Sequence, residues 1–185
     1  MTDGEQFEDA SLVERILGGD QRAVAMLISR HREAVFRFAR HYTSDPEDAL
    51  DLTQETFASA LIAIRRYDRA RRFRTWIMHI AANKCHDWSR RRAVRRFLFQ
   101  AVPIEDAPEV ASAAPTPEVA AQDALELKRV SAAIARLPDP LRQVLILRAI
   151  EDLSQLETAQ ILGLSEKAVE TRLRRARRRL HELLA

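Results

Sequence analysis

Carboxylates, histidines and one thiol are the side chains of this sequence that can carry out acid–base, nucleophilic or metal chemistry. Asp51 and Glu55 are spaced by one helical turn, and such pairs can bind a metal ion or exchange protons. His79 and His86 are two turns apart, without a carboxylate or thiol placed to complete a metal site. Cys85, the only cysteine, has no base nearby except its sequence neighbour, which faces away on a helix. We therefore predict no catalytic site, no metal and no cofactor, and interpret the two carboxylates as an exposed acidic face for a protein partner.

Binding of a polyanion is the chemistry that the arginines indicate. Residues 65–96 hold twelve basic side chains against two acidic ones, and residues 166–179 hold seven against two. Solvated helix faces normally mix both signs of charge, whereas these stretches are nearly all positive. The pattern favours nucleic acid as the partner.

The stretch "FRTWIMHIAANKCHDWSRRRAVRRF", residues 73–97, combines a core-facing half with an arginine-rich half. Trp76, Ile77 and Ile80 recur at helical spacing, which predicts burial. A more polar side is formed by Asn83, Lys84, Asp87, Arg90 and Arg91. A positive groove with aromatic neighbours suits single-stranded nucleic acid, so Trp76 and Trp88 either stack on bases or pack in the core; both interpretations stay open.

These side chains need helices to position them, and the sequence predicts an all-α fold. The 185 residues include only four glycines, 46% are hydrophobic, and alternating strand patterns are absent. Asp20 can cap a helix that runs to about Tyr42, and Ser44 or Asp45 can cap the next, which has Pro46 in its first turn and ends near Arg66. The basic loop "YDRARR" separates that helix from the stretch described above.

A proline-rich, acidic segment divides the chain into two small helical domains. Residues 98–120 contain four prolines and four acidic residues but no lysine or arginine, so they cannot form one continuous helix. We predict domains at residues 10–97 and 121–185 with a linker between them. A plain flexible spacer and a functional linker remain alternatives.

The second domain is predicted to contain a helix-turn-helix. A helix from about Gln122 to Arg136 and an apolar, central helix within residues 140–153 come first. Ser154 can form a capping box with Glu157, Gly163 suits a left-handed helix end, and Ser165 can cap the last helix. An ordinary helical hairpin is the alternative, but the arginines that follow favour a helix that enters a major groove. Glu170 either accepts a hydrogen bond from a cytosine amino group or pairs with Arg174.

Cellular location is indicated by what the sequence lacks. A single cysteine fits a reducing compartment, the acidic N-terminal stretch has no apolar signal core, and no segment approaches the length of a membrane span. We expect a cytoplasmic protein without membrane insertion.

Four stretches together resemble bacterial sigma-70 family factors of the extracytoplasmic-function group. They are "DLTQETF" (residues 51–57), "FRTWIMHIAANKCHDWSRRR" (73–92), "LPDPLRQVLILR" (137–148) and "LSQLETAQILGLSEKAVETRLRRARRRL" (153–180), in the family's order. The resemblance implies a sigma-two helical bundle and a sigma-four helix-turn-helix domain. It also implies a function without catalysis, namely promoter recognition and transcription initiation with core RNA polymerase, under the control of an anti-sigma factor.

The resemblance also implies roles for individual residues. The clamp of the polymerase β′ subunit would dock on Asp51, Gln54, Glu55 and Phe57. The melted −10 element would be held as single-stranded DNA by Arg71, Arg74, Trp76, Asn83, Lys84, Asp87, Arg90 and Arg91. The −35 duplex would be read by Ser165, Lys167, Ala168, Glu170, Thr171, Arg172, Arg174 and Arg175. The β subunit of core polymerase is a second expected partner. The acidic linker would thread toward the RNA exit path of the polymerase.

Three positions depart from the family pattern. Leu50 stands where an acid is common, Thr158 replaces an Ile or Val and implies looser packing, and Glu170 replaces a frequent Lys. Two other functions stay open at this point. A two-domain helix-turn-helix regulator would bind duplex DNA without core polymerase, and a recombinase or nuclease would need a catalytic site that the sequence does not offer.

Overall fold

The computed structural model describes residues 3–99 and 118–185, which form only helices within these two ranges. The elements are α1 (Asp3–Leu17), α2 (Gln21–Thr43), α3 (Pro46–Ala63), a short 3-10 helix (Ile64–Arg66), α4 (Phe73–Phe99), α5 (Glu118–Ala135), α6 (Asp139–Ala149), α7 (Gln155–Leu162) and α8 (Glu166–Leu184). The all-α prediction is confirmed. Most of the predicted linker lies outside the described residues, and its two ends continue α4 and begin α5.

In the first unit, which comprises α1 to α4, the starts of α2 and α3 follow from their caps. The Asp20 side chain accepts hydrogen bonds from the backbone N–H groups of Arg22 and Ala23, at 2.8 and 3.3 Å. Asp45 does the same for the first turn of α3, where Pro46 follows it. Ser44 instead ends α2 in the left-handed conformation, with a φ of 62°. Of the two candidate caps for α3, the structure therefore uses Asp45.

The core of the first unit lies between α2, α3 and α4, with α1 packed against α2. Its largest buried side chains include Phe38, Tyr42, Phe73, Ile77 and Met78. Cys85 is buried in the same core, and burial raises the pKa of its thiol. The thiol therefore stays protonated and serves as a small apolar group.

The second unit, α5 to α8, is organised around α6. The buried side chains of α6 include Val144, Ile146 and Leu147, and α8 packs across this helix. The helix ends at Ala149, earlier than residue 153, because the backbone turns at Asp152 with a φ of 50°. The turn leaves the N–H groups of Glu151 and Leu153 bonded back to carbonyls of the last helical turn of α6.

The two units are packed against each other, which the sequence did not predict. Helices α2 and α4 of the first unit contact α5, α6 and α7 of the second. Arg142 is buried at this seam, where one nitrogen donates to the Tyr42 carbonyl at 3.1 Å and the guanidinium lies 4.8 Å from the centre of the Tyr42 ring. Gln143 donates to the carbonyl of Ala82 at 3.0 Å. Ordered polar contacts therefore join the units in addition to apolar packing.

Candidate nucleic-acid and partner interfaces

The loop before α4 is held in shape by its tyrosine. The Tyr67 hydroxyl donates to the Arg71 carbonyl, and the Asp68 carboxylate accepts from the Ala70 N–H at 3.0 Å. Burial raises the pKa of Tyr67 to about 12, so its hydroxyl keeps the proton that it donates. The loop thus presents Arg71 from a defined backbone turn, with its side chain exposed and 3.5 Å from Asp68.

Trp76 lies in an aromatic cluster beside this loop. Its ring centre is 5.2 Å from that of Tyr67 and 5.4 Å from that of Phe73, and the side chain is half-buried. These spacings are those of favourable tilted aromatic pairs. Packing is therefore one role of Trp76, whose side chain remains partly exposed.

Trp88 of α4 packs against α2 and α3 within the first unit. Its indole N–H donates to an Asp48 carboxylate oxygen at 3.1 Å, its ring meets the edge of Tyr42 at 6.3 Å, and Arg92 lies 5.1 Å from its centre. These contacts support the packing interpretation of Trp88, whose side chain is half-buried.

The polar side of α4 is largely open to solvent. Asn83, Asp87, Arg90 and Arg91 are exposed, whereas Lys84 is half-buried and its Nζ lies 3.8 Å from Glu55. Arg91 reaches the same Glu55 carboxylate at 3.9 Å. These predicted nucleic-acid residues are brought together on one helix.

The arginines at the start of α4 are less available to a ligand than those further along the helix, because they form ion pairs with carboxylates of the second unit. Arg74 is only 18% exposed and lies 3.5 Å from a Glu151 carboxylate oxygen. Arg72 lies 3.2 Å from Glu157. Part of the predicted −10 surface is therefore covered by the helix-turn-helix unit.

The acidic face of α3 is present as predicted, except for its aromatic member. Asp51, Gln54 and Glu55 are exposed on one side of the helix. Phe57, which was predicted to bind the same partner, is only 7% exposed and packs in the core. The reason is helical spacing, which turns position 57 toward the core with Leu52 and Thr53. Leu50 is 38% exposed and borders a shallow apolar groove with Phe36 and Pro46.

The helix-turn-helix has the predicted caps. Ser154 and Glu157 exchange both hydrogen bonds of a capping box, at 3.1 and 2.9 Å. Gly163 has a φ of 62°, and the Ser165 side chain accepts from the Ala168 N–H at 3.2 Å. Burial opposes ionisation of Glu157, but the bonds from Ser154 and the charges of Arg72 and Arg74 outweigh it and lower the pKa of Glu157.

The last helix presents most of the residues predicted to read duplex DNA. Exposed side chains are Ser165, Lys167, Glu170, Arg174 and Arg175, and half-buried ones are Ala168, Thr171 and Arg172. Glu170 is exposed, and within the described residues no ion pair joins it to Arg174.

Thr158 is the residue inside the helix-turn-helix that departs from the family pattern, which has Ile or Val at this position. Its side chain is 0% exposed, and its hydroxyl finds no hydrogen-bond partner in the part of the chain that the structure describes. A buried hydroxyl without a partner costs free energy. The consequence that the structure shows at this position is an unsatisfied polar group in a fully buried side chain.

Two charged residues at the seam escaped the sequence analysis. Glu151 and Arg37 are separated by 114 positions, yet Arg37 binds both carboxylate oxygens of Glu151, at 2.8 and 2.7 Å. No local pattern signals such a pair, because each residue alone looks like an ordinary surface charge. Among the described residues there is no group of three or more His, Cys, Asp or Glu that could hold a metal ion. No helix in the described ranges is long and apolar enough to cross a membrane.

Comparison with known protein sequences assigns both units. Residues 27–102 match Sigma-70 region 2, and residues 127–180 match Sigma-70, region 4. The RNA polymerase sigma factor CnrH of Cupriavidus metallidurans is 41% identical over 179 residues, covering 95% of this chain and 94% of the relative. The ECF RNA polymerase sigma factor SigW of Bacillus subtilis is 29% identical, covering 93% of this chain and 94% of the relative.

Solved structures agree with this assignment. The structure of CnrH in complex with the cytosolic domain of CnrY has a TM-score of 0.70 at 35% identity, and the match covers 96% of this chain and 97% of that one. The sigma factor RpoE, solved in complex with the anti-sigma factor NepR from Bartonella quintana, shares the fold, with a TM-score of 0.67 at 24% identity over 86% of this chain and 95% of that one. The chain therefore belongs to the sigma-70 family and is a transcription initiation factor of its extracytoplasmic-function group.

Proposed function

We propose that this sigma factor uses three separate surfaces to start transcription, one for core RNA polymerase and two for promoter DNA. Residues 10–97 form the domain that binds polymerase and the −10 element, residues 98–120 form a linker, and residues 121–185 form the domain that binds the −35 element. The observation that carries the proposal is the presence of two exposed basic surfaces of different kinds, on α4 and on α8, in one chain.

The polymerase surface is the exposed side of α3. Asp51, Gln54 and Glu55 offer carboxylates and an amide to a basic or polar partner helix, and Phe57 supports them from the core. Electrostatic complementarity of this kind governs partner choice and association rate. We assign the β′ subunit to this surface and the β subunit to the second domain.

The −10 surface combines the loop before α4 with the polar side of that helix. Arg71, Arg74, Lys84, Arg90 and Arg91 supply positive charge, and Asn83 and Asp87 supply groups that can hydrogen-bond to an unstacked base. The exposed part of Trp76 borders the same surface. A positive track with polar and aromatic groups suits single-stranded DNA, whose bases are free of the helix stack.

The −35 surface is the N-terminal half of α8. Lys167 and Glu170 lie on its exposed side near the capped helix start, where base edges would be reached, and Arg174 and Arg175 follow on the same side. The full set proposed for this duplex contact is Ser165, Lys167, Ala168, Glu170, Thr171, Arg172, Arg174 and Arg175.

Regulation by an anti-sigma factor is the fourth part of the proposal. CnrH, which resembles this chain over nearly its whole length, was solved in complex with the cytosolic domain of CnrY. We propose a comparable protein partner here, a cytoplasmic location, and no catalytic activity of the chain itself, since bond formation would belong to the polymerase.

Run-off transcription tests the proposed function. Purified bacterial core polymerase is supplied with genomic fragments, with and without this protein. New transcripts with defined start sites are expected only when the protein is present. Absence of transcripts, combined with specific duplex binding by the free protein, would replace this proposal with a regulator that acts without core polymerase.

A further inference from the structure

Glu151 is the most deeply buried charge at the seam between the two units. Its side chain is 0% exposed and lies in the connection between α6 and α7. Arg37 of α2 binds both carboxylate oxygens through Nε and Nη2, at 2.8 and 2.7 Å. Arg74 of α4 donates to the Glu151 carbonyl at 3.1 Å and approaches a carboxylate oxygen at 3.5 Å. Two arginines of the first unit thus enclose one anion of the second.

The geometry of this site fits more than one kind of anion. A guanidinium group presents two parallel N–H donors, and this fork matches the oxygens of a carboxylate and of a phosphate equally well. Arg37 and Arg74 come from different helices and converge on Glu151. Arg37 also lies 3.8 Å from Glu33 of its own helix, but removal of Glu151 would take away the one buried carboxylate that both guanidinium groups share. The site is therefore suited to exchange a carboxylate for a phosphate.

The neighbouring contacts favour DNA as the source of that phosphate. Arg72, two residues before Arg74, is held by a second carboxylate of the same unit, Glu157, at 3.2 Å. Arg71 is exposed beside them, and the polar side of α4 continues the basic surface. Glu157 and Glu151 thus place two negative charges beside the neighbouring residues Arg72 and Arg74. A nucleic-acid backbone would present a similar series of negative charges to these arginines.

We propose that Arg37 and Arg74 form a binding site for a backbone phosphate of the melted promoter strand, and that Glu151 occupies this site while the two units are packed together. This inference rests on the proposed −10 function of α4. It adds a contact from α2 and an intramolecular competitor for the DNA.

Occupation by Glu151 and promoter binding exclude each other on geometric grounds as well. Positions −10 and −35 are about 25 base pairs apart, or roughly 85 Å at 3.4 Å per base pair. In the packed arrangement α7 touches α4 directly, with Arg72 and Glu157 only 3.2 Å apart. The units must therefore separate before both promoter elements are bound, and separation vacates the phosphate site.

A DNA-binding assay with the full-length chain tests the proposal. The ligand is a fluorescein-labelled, single-stranded oligodeoxynucleotide of random sequence, and binding is measured by fluorescence anisotropy. Glu151→Gln keeps the shape of the side chain but removes the charge that Arg37 and Arg74 share. We expect it to tighten DNA binding by about tenfold, since a charge-assisted contact of the packed form is lost while the phosphate site is kept.

The decisive comparison adds Arg37→Ala to Glu151→Gln. We expect the double variant to lose the gain, and the slope of log affinity against log salt concentration to fall by about 0.7, the value for one phosphate contact to a single strand. Arg32→Ala in the same Glu151→Gln background is the matched control, because Arg32 is an exposed arginine of α2 on the side of the α3 groove. This control should keep most of the gain.

A gain that persists in the Glu151→Gln, Arg37→Ala variant would overturn the phosphate site, since Glu151 would then act only in holding the units together. Tighter binding of poly-glutamate than of DNA by Glu151→Gln would overturn DNA as the ligand. If single substitutions unfold the chain, the exchanged pair Arg37→Glu, Glu151→Arg serves instead. Because this exchange removes the guanidinium of α2 from the first unit, it should bind DNA more weakly than the wild type. Unchanged or tighter binding by this pair would also overturn the site.

Run-off transcription separates failure of this inference from failure of the proposed function. Promoter-specific transcripts from the wild type, together with unchanged DNA binding by Glu151→Gln, would reject the phosphate site alone. Absence of both transcripts and single-strand binding in every variant would reject the −10 function on which it rests.

Discussion

His79 accepts a hydrogen bond from the side-chain amide of Asn83 at 3.1 Å, and its other ring nitrogen, Nδ1, lies 2.6 Å from the carbonyl oxygen of Ile161. A carbonyl oxygen accepts only, so Nδ1 carries the proton and Nε2 is the acceptor. The orientation of Asn83 is thus linked through His79 to α7 of the second unit.

Replacement of Asn83 by Ala should slow promoter opening and leave −35 duplex binding unchanged. Asn83 is exposed, and the side-chain hydrogen bond that it makes within the described residues is to His79, so folding stability should change by no more than ~0.5 kcal/mol. Fluorescence of 2-aminopurine placed in the −10 element reports opening by the holoenzyme. An equal loss of duplex binding would contradict a role restricted to the melted strand.

Asp51→Lys and Phe57→Ala should have opposite effects on polymerase binding and on folding stability. Asp51 is exposed, so its replacement should weaken binding to core polymerase with little change in the free energy of unfolding. Phe57 is buried, so its truncation should cost ~3–5 kcal/mol of stability. Urea unfolding and a polymerase binding assay separate the two effects. Weakened core binding by Phe57→Ala in a fully stable protein would restore a contact role for that ring.

Arg175→Ala should weaken binding to the −35 duplex and lower the salt slope by about one, the value for one lost phosphate contact. The measurement is a salt titration of duplex binding by holoenzyme. Arg22→Ala, which removes an exposed positive charge at the start of α2, is the control and should leave the slope unchanged. An unchanged slope for Arg175→Ala would remove this residue from the DNA surface.

Thr158→Val should stabilise the protein by ~1 kcal/mol, because it replaces a buried hydroxyl without a partner by a methyl group of similar size. Thr56→Val is the matched control. Thr56 is equally buried, but its hydroxyl donates to the Leu52 carbonyl at 2.6 Å, so this substitution should be neutral or destabilising. Urea unfolding of both variants decides; a loss of stability in Thr158→Val would mean that the hydroxyl has a partner after all.

Acidification should destabilise the protein in part through His41. Burial is the main cause that lowers the pKa of His41; the charges of Arg40 and Arg37 act in the same direction, and that of Glu151 opposes them. Because the unfolded chain binds this proton more readily, stability should be constant above about pH 6.5 and fall as the pH drops below it. Unfolding measured between pH 8 and pH 5 tests this, and His41→Gln should flatten the pH dependence in this window.

Glu157 should contribute in a separate, more acidic window. Its pKa is lowered in the folded protein, so its contribution is complete above its ordinary pKa, about 4.3, and is lost as the pH falls through the lower folded value. Between pH 8 and pH 5 only His41 of these two groups should therefore affect stability. If the loss of stability in this range is the same in His41→Gln as in the wild type, a group other than His41 and Glu157 causes it.

Local rules were sufficient to predict the elements that carry the surfaces. Asp20, Ser154 and Ser165 each begin a helix because a short polar side chain can accept from free N–H groups of the first turn, which depends only on nearby residues. Gly163 ends α7 because only a left-handed residue satisfies the last carbonyls there. The family resemblance then supplied the order of the two units and their functions.

Helical spacing was less reliable for single side chains. Phe57 shares a motif with the exposed Asp51, yet its position on the helix turns it into the core. Trp88 occurs among arginines, and only the neighbouring α3 and Tyr42 decide that its indole is used for packing.

The sequence by itself therefore determined helices α2 to α8, the caps of α2, α3, α7 and α8, and the two basic stretches, since those depend on contacts within a few residues. Helix α1 was not predicted. The tertiary structure decided which arginines face solvent and which face a carboxylate of the other unit. Arg37 and Glu151 meet across 114 positions because α2 and the turn after α6 pack together, and no local pattern records that pairing. Whether an arginine at the seam is exposed or paired with a carboxylate therefore depends on how the two units are packed.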